Sequence, residues 1–306
     1  MRKIIGIGET ILDILFRNGQ PEIAMPGGSV YNGIISLGRM GLDVTFISET
    51  GNDRVGRMIL DNMRENGVKT DNVNVFPEGK SPVSLAFLNE RNDAEYLFYK
   101  DYPRQRLDVV MPEINPDDIL IISSYFAVSP LLRDKVKDVL DYAKERGAII
   151  YYDVNFRSTH INEAIKLMPT VLENLEYTDI LRGSTEDFQN LFKQSDPDKV
   201  YKNHVGFYCR NFLCTDAEKD IHLYTGEFSK TYSVEPIKTV STIGAGDNFN
   251  AGIVYGLIKY DIRRNDLPSL SQSDWDKIVR CGMDFSANVC QSVYNSISKE
   301  FAASYR

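Results

Sequence analysis

The run Ser241-Thr242-Ile243-Gly244-Ala245-Gly246-Asp247 sets two glycines and an acid at the start of a helical pattern, Phe249, Ile253, Leu257. A β-rich stretch, Thr231–Val240, leads into it, and Ala251, Gly252 and Gly256 suit close packing behind it. The glycines leave the first backbone N–H groups of the helix unobstructed. Those donors have no intrahelical partner, and the helix dipole adds about half a positive charge. Gly244, Ala245 and Gly246 can therefore form an anion site without Lys or Arg. An acid beside such a site, Asp247, can remove a hydroxyl proton while the amides hold charge on a transferred phosphoryl group. This segment alone equally allows Asp247 to be only a helix cap.

Two other glycine runs fail on chemistry. Gly6 and Gly8 begin like a dinucleotide fingerprint, but Ile11 stands where the third glycine belongs, and that glycine is needed for close helix–strand packing. Gly51–Met58 has the glycine spacing of a P-loop. Arg57 and Met58 replace the Lys and the hydroxyl that would meet phosphates and Mg²⁺. Asp53 there is expected to cap the following helix.

The elements that must hold these residues alternate. Strands are expected at Lys3–Ile7, Val44–Ser48, Ile119–Ser123, Ala148–Asp153 and Thr178–Leu181. Helices are expected at Ser29–Met40, Asp53–Asn66 and Leu131–Arg146, with another beginning near Ser184. This βα rhythm predicts an α/β, doubly wound, mostly parallel sheet with ligands at the strand C-termini. Two regions break it. Ile11–Ala24 and Val83–Lys100 read as extended segments without helices, the second with a hairpin loop at Asn89–Ala94. We expect one domain, 1–306, with a small β-sheet lid from about 11–25 and 80–104.

Composition narrows the partners. The 306 residues carry 35 Lys and Arg against 43 Asp and Glu, a formal net charge of -8. An acidic chain is a poor general binder of nucleic acid or membrane surfaces. The N-terminal apolar run is broken by Gly6, Gly8, Glu9 and Asp13, so neither a signal peptide nor a membrane span is read there, and a cytoplasmic location is expected. Cys209, Cys214, Cys281 and Cys290 have no CxxC or zinc spacing, and His160, His204 and His222 form no HExxH. Reduced thiols and no histidine-based metal site are the expectation.

Pro26–Val68, with PGGSVYNGI, resembles the N-terminal signature of the ribokinase–fructokinase (PfkB-type) sugar kinases, and STIGAGDNFNAGI resembles their C-terminal one. Asp153–Arg157, DVNFR, is similar to a segment of the fructokinase branch, and Arg182–Leu191 to the segment whose Glu supports Mg²⁺ and phosphate. The resemblance implies a ribokinase-like fold with a β-lid over the sugar. It implies that Asp13 accepts hydrogen bonds from sugar hydroxyls, that Gly27 and Gly28 let the backbone approach the sugar, and that Asn32 offers its amide. Asp247 is then the general base beside the Gly244–Gly246 anion hole. Arg157 meets the phosphoryl group or the substrate. Glu186 supports Mg²⁺, which is held mainly through ATP, Thr242 lies on the nucleotide side, and Asn288 lies near the adenine.

Some residues depart from that pattern. Ser241-Thr242 replaces the usual Asp-Thr, which removes a hard oxygen ligand and argues against K⁺ activation. Gly183 stands where many members have Asn, weakening the Glu186 assignment. TDAEKD (Thr215–Asp220) replaces a Gly-rich turn, and no nucleotide-side Gly-Ala is recognisable in QSVYNSIS (Gln291–Ser298). The expectation is an ATP-dependent sugar kinase acting on a primary hydroxyl, with fructose the leading substrate. A 2-keto-3-deoxygluconate kinase, whose lid cations would be Lys100, Arg104 and Arg106, is the alternative. So is a catalytically weak sugar-binding or regulatory protein. A homodimer through the apolar lid strands is expected, as in relatives.

Overall fold

Alternate residues of the central strands enter different cores. Ile4, Ile119, Ile121, Ile149 and Tyr151 join one buried cluster, while Ile5, Leu120, Ile122, Ile150 and Tyr152 join another. Period-two side chains of a strand point to opposite faces, so a strand apolar at every position must be covered on both sides. The computed structural model, which describes residues 2–88, 94–217 and 219–305, has that arrangement.

The strands in chain order are β1 (Lys3–Ile7), β2 (Ile11–Arg17), β3 (Gln20–Gly27), β4 (Asp43–Gly51), β5 (Val68–Lys69), β6 (Val73–Phe76), β7 (Lys80–Leu88), β8 (Ala94–Asp101), β9 (Ile119–Ser123), β10 (Ile149–Asp153), β11 (Ile180–Ser184), β12 (Asn211–Asp216), β13 (Asp220–Tyr224) and β14 (Ser229–Ser233). The main sheet runs β14-β13-β12-β11-β10-β9-β1-β4-β5, with β6 also on β4. Its pairings from β12 to β4, and those of β5 and β6 with β4, are parallel; β12–β13 and β13–β14 are antiparallel. Helices Ser29–Arg39, Ala245–Lys259 and Gln272–Cys290 cover one face, and Arg133–Arg146, Ala164–Tyr177 and Thr185–Phe192 the other. The doubly wound, mostly parallel sheet read from the sequence is the fold observed.

A separate sheet has the order β3-β2-β7-β8, with β2 and β7 parallel inside two antiparallel pairs. Both segments expected to be extended without helices form it. Of the hairpin loop expected at 89–94, residues 89–93 lie outside the described residues. Asp53 joins the two sheets. It caps the Arg54–Glu65 helix, accepting from Gly56 N at 2.8 Å, and its other oxygen accepts from Ser81 N at 2.8 Å. These bonds hold its carboxyl below the usual carboxylate range, although burial pushes the other way.

Two local readings change. The β-rich stretch Thr231–Val240 is strand only as far as Ser233, and residues 234–243 have no regular structure. The expected Leu131–Arg146 helix begins at Arg133, behind a separate short helix, Ser124–Val128. All four cysteines are free thiols, three of them buried. Among the described residues no helix is long and apolar enough to cross a membrane.

Candidate active site

Asp247 is the third residue of the Ala245–Lys259 helix. That helix has no side-chain cap, so Asp247 is not spent on its own N-terminus. Gly244, the residue before the helix, has φ 79°, a left-handed conformation that glycine adopts without strain. Ala245 N donates to Thr242 O at 3.2 Å, so of the anion donors expected at Gly244, Ala245 and Gly246 this one is already taken by the turn. Among the described residues, Gly244, Gly246 and Asp247 N–H have no acceptor, which leaves these donors open at the positive end of the dipole.

The Ser29–Arg39 helix packs across the same point. It is buried from Val30 to Gly38, and a Cβ at Gly33 would stand 2.9 Å from Asp247 O. This close approach brings Asn32 Nδ2 to 2.7 Å from Asp247 Oδ2. Asp247 is 9% exposed. Burial pushes its carboxyl up to about 7; Asp153 adds to the rise, while the Asn32 hydrogen bond, Arg157 and Arg182 oppose it.

Asp13 enters from the second sheet. Strand register sets it opposite Met25 on β3 and Ser84 on β7, and Ser84 Oγ donates to its Oδ1. A Cβ at Gly27 would collide with its Oδ2, so the glycine lets backbone and carboxylate share the space. Gly28, at φ 134°, turns the chain from β3 into the next helix, and a Cβ there would collide with Glu9 O. Burial raises the Asp13 carboxyl to about 6, with Ser84 and Arg157 opposing. Arg157 is exposed over much of its length, yet its guanidinium carbon lies 5.0 Å from the Tyr96 ring centroid. Burial of its head works against the charge, and Tyr96, Asp247 and Asp13 outweigh it, so its pKa is raised.

Asp13, Gly27, Gly28, Asn32, Arg157 and Asp247 thus gather where the second sheet meets the strand C-termini. Gly244–Gly246 adjoin Asp247, whereas Thr242, Glu186 and Asn288 form no hydrogen bond with that cluster among the described residues. Thr242 is exposed beside the cradle. Glu186 is exposed in the first turn of its helix and has no hydrogen-bond or ion-pair partner among the described residues, whereas Asp187 closes a capping box with Ser184. The Gly183 departure has a packing cause: a Cβ there would collide with the Phe188 ring. Asn288 Oδ1 accepts from Ser298 N at 2.9 Å. The Thr215–Asp220 turn includes Glu218, which lies outside the described residues.

Three side chains near the cradle carry no role in the sequence reading. Asn295 donates to Pro26 O at 2.9 Å, and its own carbonyl accepts from Asn248 Nδ2 at 2.8 Å, tying the Gly27 turn to the cradle helix. Arg182 on β11 lies against Gly246: a Cβ there would be 3.0 Å from both Nη atoms. Asp153 on β10 pairs with Arg182 at 3.1 Å. Burial pushes the Asp153 carboxyl up against the pull of Arg182. Asp153 and Arg182 lie inside DVNFR and RGSTEDFQNL, so both motifs were visible. Their meeting depends on β10 and β11 pairing Asp153 with Arg182, which no local spacing shows.

Of the three cations named for an acid substrate, Lys100 and Arg106 are engaged. Lys100 Nζ pairs with Glu9 at 2.8 Å. Arg106 Nε is 2.6 Å from Oε1 of Glu49, a fully buried carboxylate that also accepts from Leu107 N at 2.8 Å.

The family model described as pfkB family carbohydrate kinase matches residues 19–301. The chain is 27% identical over 288 residues to a probable chloroplastic fructokinase-6 of Arabidopsis thaliana, covering 89% of this chain and 72% of that protein. It is 28% identical over 253 residues to the 5-dehydro-2-deoxygluconokinase of Geobacillus thermodenitrificans, covering 76% and 72%. Among solved structures, the Vibrio cholerae fructokinase bound to fructose, ADP and calcium ion superposes with TM-score 0.82 at 20% identity, covering 96% of this chain and 94% of that one. The Salmonella enterica aminoimidazole riboside kinase, with its riboside and an ATP analog, has TM-score 0.82 at 18% identity and 99% coverage of both chains. At these identities the structural likeness speaks for the fold.

Proposed function

The chain belongs to the pfkB family of carbohydrate kinases, and on that premise we propose that it transfers the γ-phosphoryl group of ATP to a primary hydroxyl of a small sugar, with fructose the leading substrate. The observation that carries this reading is Asp247, buried, held by Asn32 and set beside the open Gly244, Gly246 and Asp247 amides.

The residues fit a sugar and a phosphoryl group. Asn32 Oδ1 is buried and has no protein partner among the described residues, so it suits a sugar hydroxyl. Asp13 presents a second acceptor from above, and in this reading the second sheet is a lid on a single domain. MgATP, when bound, supplies the phosphoryl group and the counter-charge on it. Asp247 takes the hydroxyl proton, Asn32 keeps its carboxylate in register, and the Gly246 and Asp247 amides hold developing charge. Glu186, free at its helix start, is assigned to the Mg²⁺ side, and Thr242 and Asn288 to the nucleotide side. Ser241 Oγ accepts from Ile243 N at 3.2 Å and offers no carboxylate, so turnover is expected without K⁺.

The second reading, a kinase for a keto-deoxy sugar acid, draws support from the Geobacillus relative. Against it, Lys100 and Arg106 are already held by Glu9 and Glu49, which leaves Arg104 and Arg157 for a carboxylate. β8 exposes Leu97, Phe98 and Tyr99, which supports a homodimer through the second sheet; a monomeric mass in solution would refute it.

The test is ADP release with MgATP on fructose, ketodeoxygluconate, ribose and adenosine, with and without K⁺. Fructose is expected to have the highest kcat/KM. Sugar binding without turnover on any of the four would instead favour a regulatory protein. Asp247→Asn is expected to fold and lose at least about 10²-fold in kcat.

A further inference from the structure

We propose that Arg182 is the fixed cation of the phosphoryl cradle, a positioning residue that acts through Gly246 and Asp247. The inference rests on the sugar-kinase reading of the same site.

Arg182 sits on a central strand between Leu181 and Gly183, paired across to Asp153 on one side and Leu213 on the other. Such a position ordinarily carries an apolar residue. A buried ion pair costs desolvation that its attraction often fails to repay, and apolar replacements are commonly as stable. Folding therefore gives no reason for a guanidinium that is 8% exposed at this place. Its location does. Both Nη atoms lie 3.0 Å from the Cβ position of Gly246, beside the open amides, so Gly246 is the residue that lets the charge come close.

The guanidinium is held in place by an ion pair and a hydroxyl. Nη1 donates to Asp153 Oδ1 at 3.1 Å and lies 3.3 Å from its Oδ2, and Nη2 donates to Thr215 Oγ1 at 2.7 Å, while Nε has no partner among the described residues. Asp153 Oδ2 also accepts from Asn250 Nδ2 at 2.7 Å, and Asn250 in turn accepts from Tyr151 at 2.8 Å. Asn250 is on the cradle helix, so this chain of hydrogen bonds locks the guanidinium to the helix it serves. In a dry interior a charge acts over several ångströms with little screening. It adds to the helix dipole where phosphoryl charge develops.

Asp247 is the second element on which Arg182 acts. The groups bearing on Asp247 are Asn32, Asp153, Arg157 and Arg182, and those bearing on Arg182 are Asp153, Asp187 and Tyr151. Asp153 makes Asp247 harder to ionise, and Arg182 makes it easier. Removing the guanidinium also lets buried Asp153 take a proton, so the effect of Arg182 on Asp247 is read with Asp153 already neutral: in an Asp153→Asn background, losing Arg182 leaves Asp247 protonated to higher pH.

The experiment uses the whole chain with MgATP and whichever sugar turns over. Arg182→Met is expected to lower kcat roughly 10²-fold. Arg182→Lys should restore most of the rate. Because the Met variant leaves Asp153 unpaired, the double variant Arg182→Met with Asp153→Asn is compared with Asp153→Asn alone; it should fold, remain slow, and have the acid limb of kcat/KM displaced upward. A double variant within about threefold of Asp153→Asn, or with the same acid limb, overturns the proposal. Titration of the Asp247 carboxyl by ¹³C NMR needs no turnover: the same value in Asp153→Asn and in the double variant also overturns it. A parent chain inactive on every sugar sinks the kinase reading instead, a separate result.

Discussion

Asn32 and Asp247 are 215 residues apart in the chain, and Asn32 Nδ2 lies 2.7 Å from Asp247 Oδ2. The bond joins the helix of one glycine-rich segment to the helix of the other. It fixes one carboxylate oxygen and so orients the other. It also restrains a pKa that burial drives upward, keeping Asp247 near the pH at which a base works best.

With Asp247 as the proposed base, a carboxyl that burial pushes up to about 7 is expected to set the pH profile. kcat/KM is expected to fall about tenfold per pH unit on the acid side of about 7. Rate measurements from pH 5 to 9 check this; a flat profile down to pH 5 would remove Asp247 from the role.

The same pKa makes a stability prediction of opposite flavour. Unfolded, the carboxyl titrates near 3.8; folded, at about 7. Between those values the folded state keeps a proton that the unfolded state has released, so stability falls as pH rises through the window. Asp247→Asn removes that loss. It should be more stable than the parent at pH 8 by about 1–4 kcal/mol and gain nothing at pH 3. Urea unfolding at both pH values decides.

Asp13 is positioned from two sides, by the Ser84 hydroxyl and by the absence of a side chain at Gly27. Gly27→Ala pushes a methyl into the carboxylate. We expect sugar KM to rise at least about tenfold, with a smaller change in kcat. An unchanged KM would separate Asp13 from the sugar.

Asp53 serves a helix end and the start of β7 together. Asp53→Ala should cost about 1–2 kcal/mol of stability, and Asp53→Asn less, because the amide oxygen can still cap. Denaturant midpoints for the two variants test the order.

Much of this protein is legible along the chain. The doubly apolar strands, the helix ends near Met40, Asn66 and Arg146, each followed by a glycine of positive φ, and the two extended segments all follow from period, burial and backbone freedom, which act within a few residues. Asp247 stood out because a glycine-flanked helix start is itself a local anion site. The part of the β-rich stretch at 234–240 misled for the same reason: β-branched residues favour a strand, but among the described residues no strand pairs with this segment.

What only the tertiary structure decides is which charges meet. The sequence offers Lys100 and Arg106 as cations for an acid substrate, and the fold brings Glu9 and Glu49 to them first. It offers DVNFR and RGSTEDFQNL as separate motifs, and parallel pairing of β10 with β11 turns them into one ion pair behind Gly246. Electrostatic partners are set by proximity in space, over distances of a few ångströms. Residues 29 positions apart, as Asp153 and Arg182 are, acquire that proximity only when the sheet has formed.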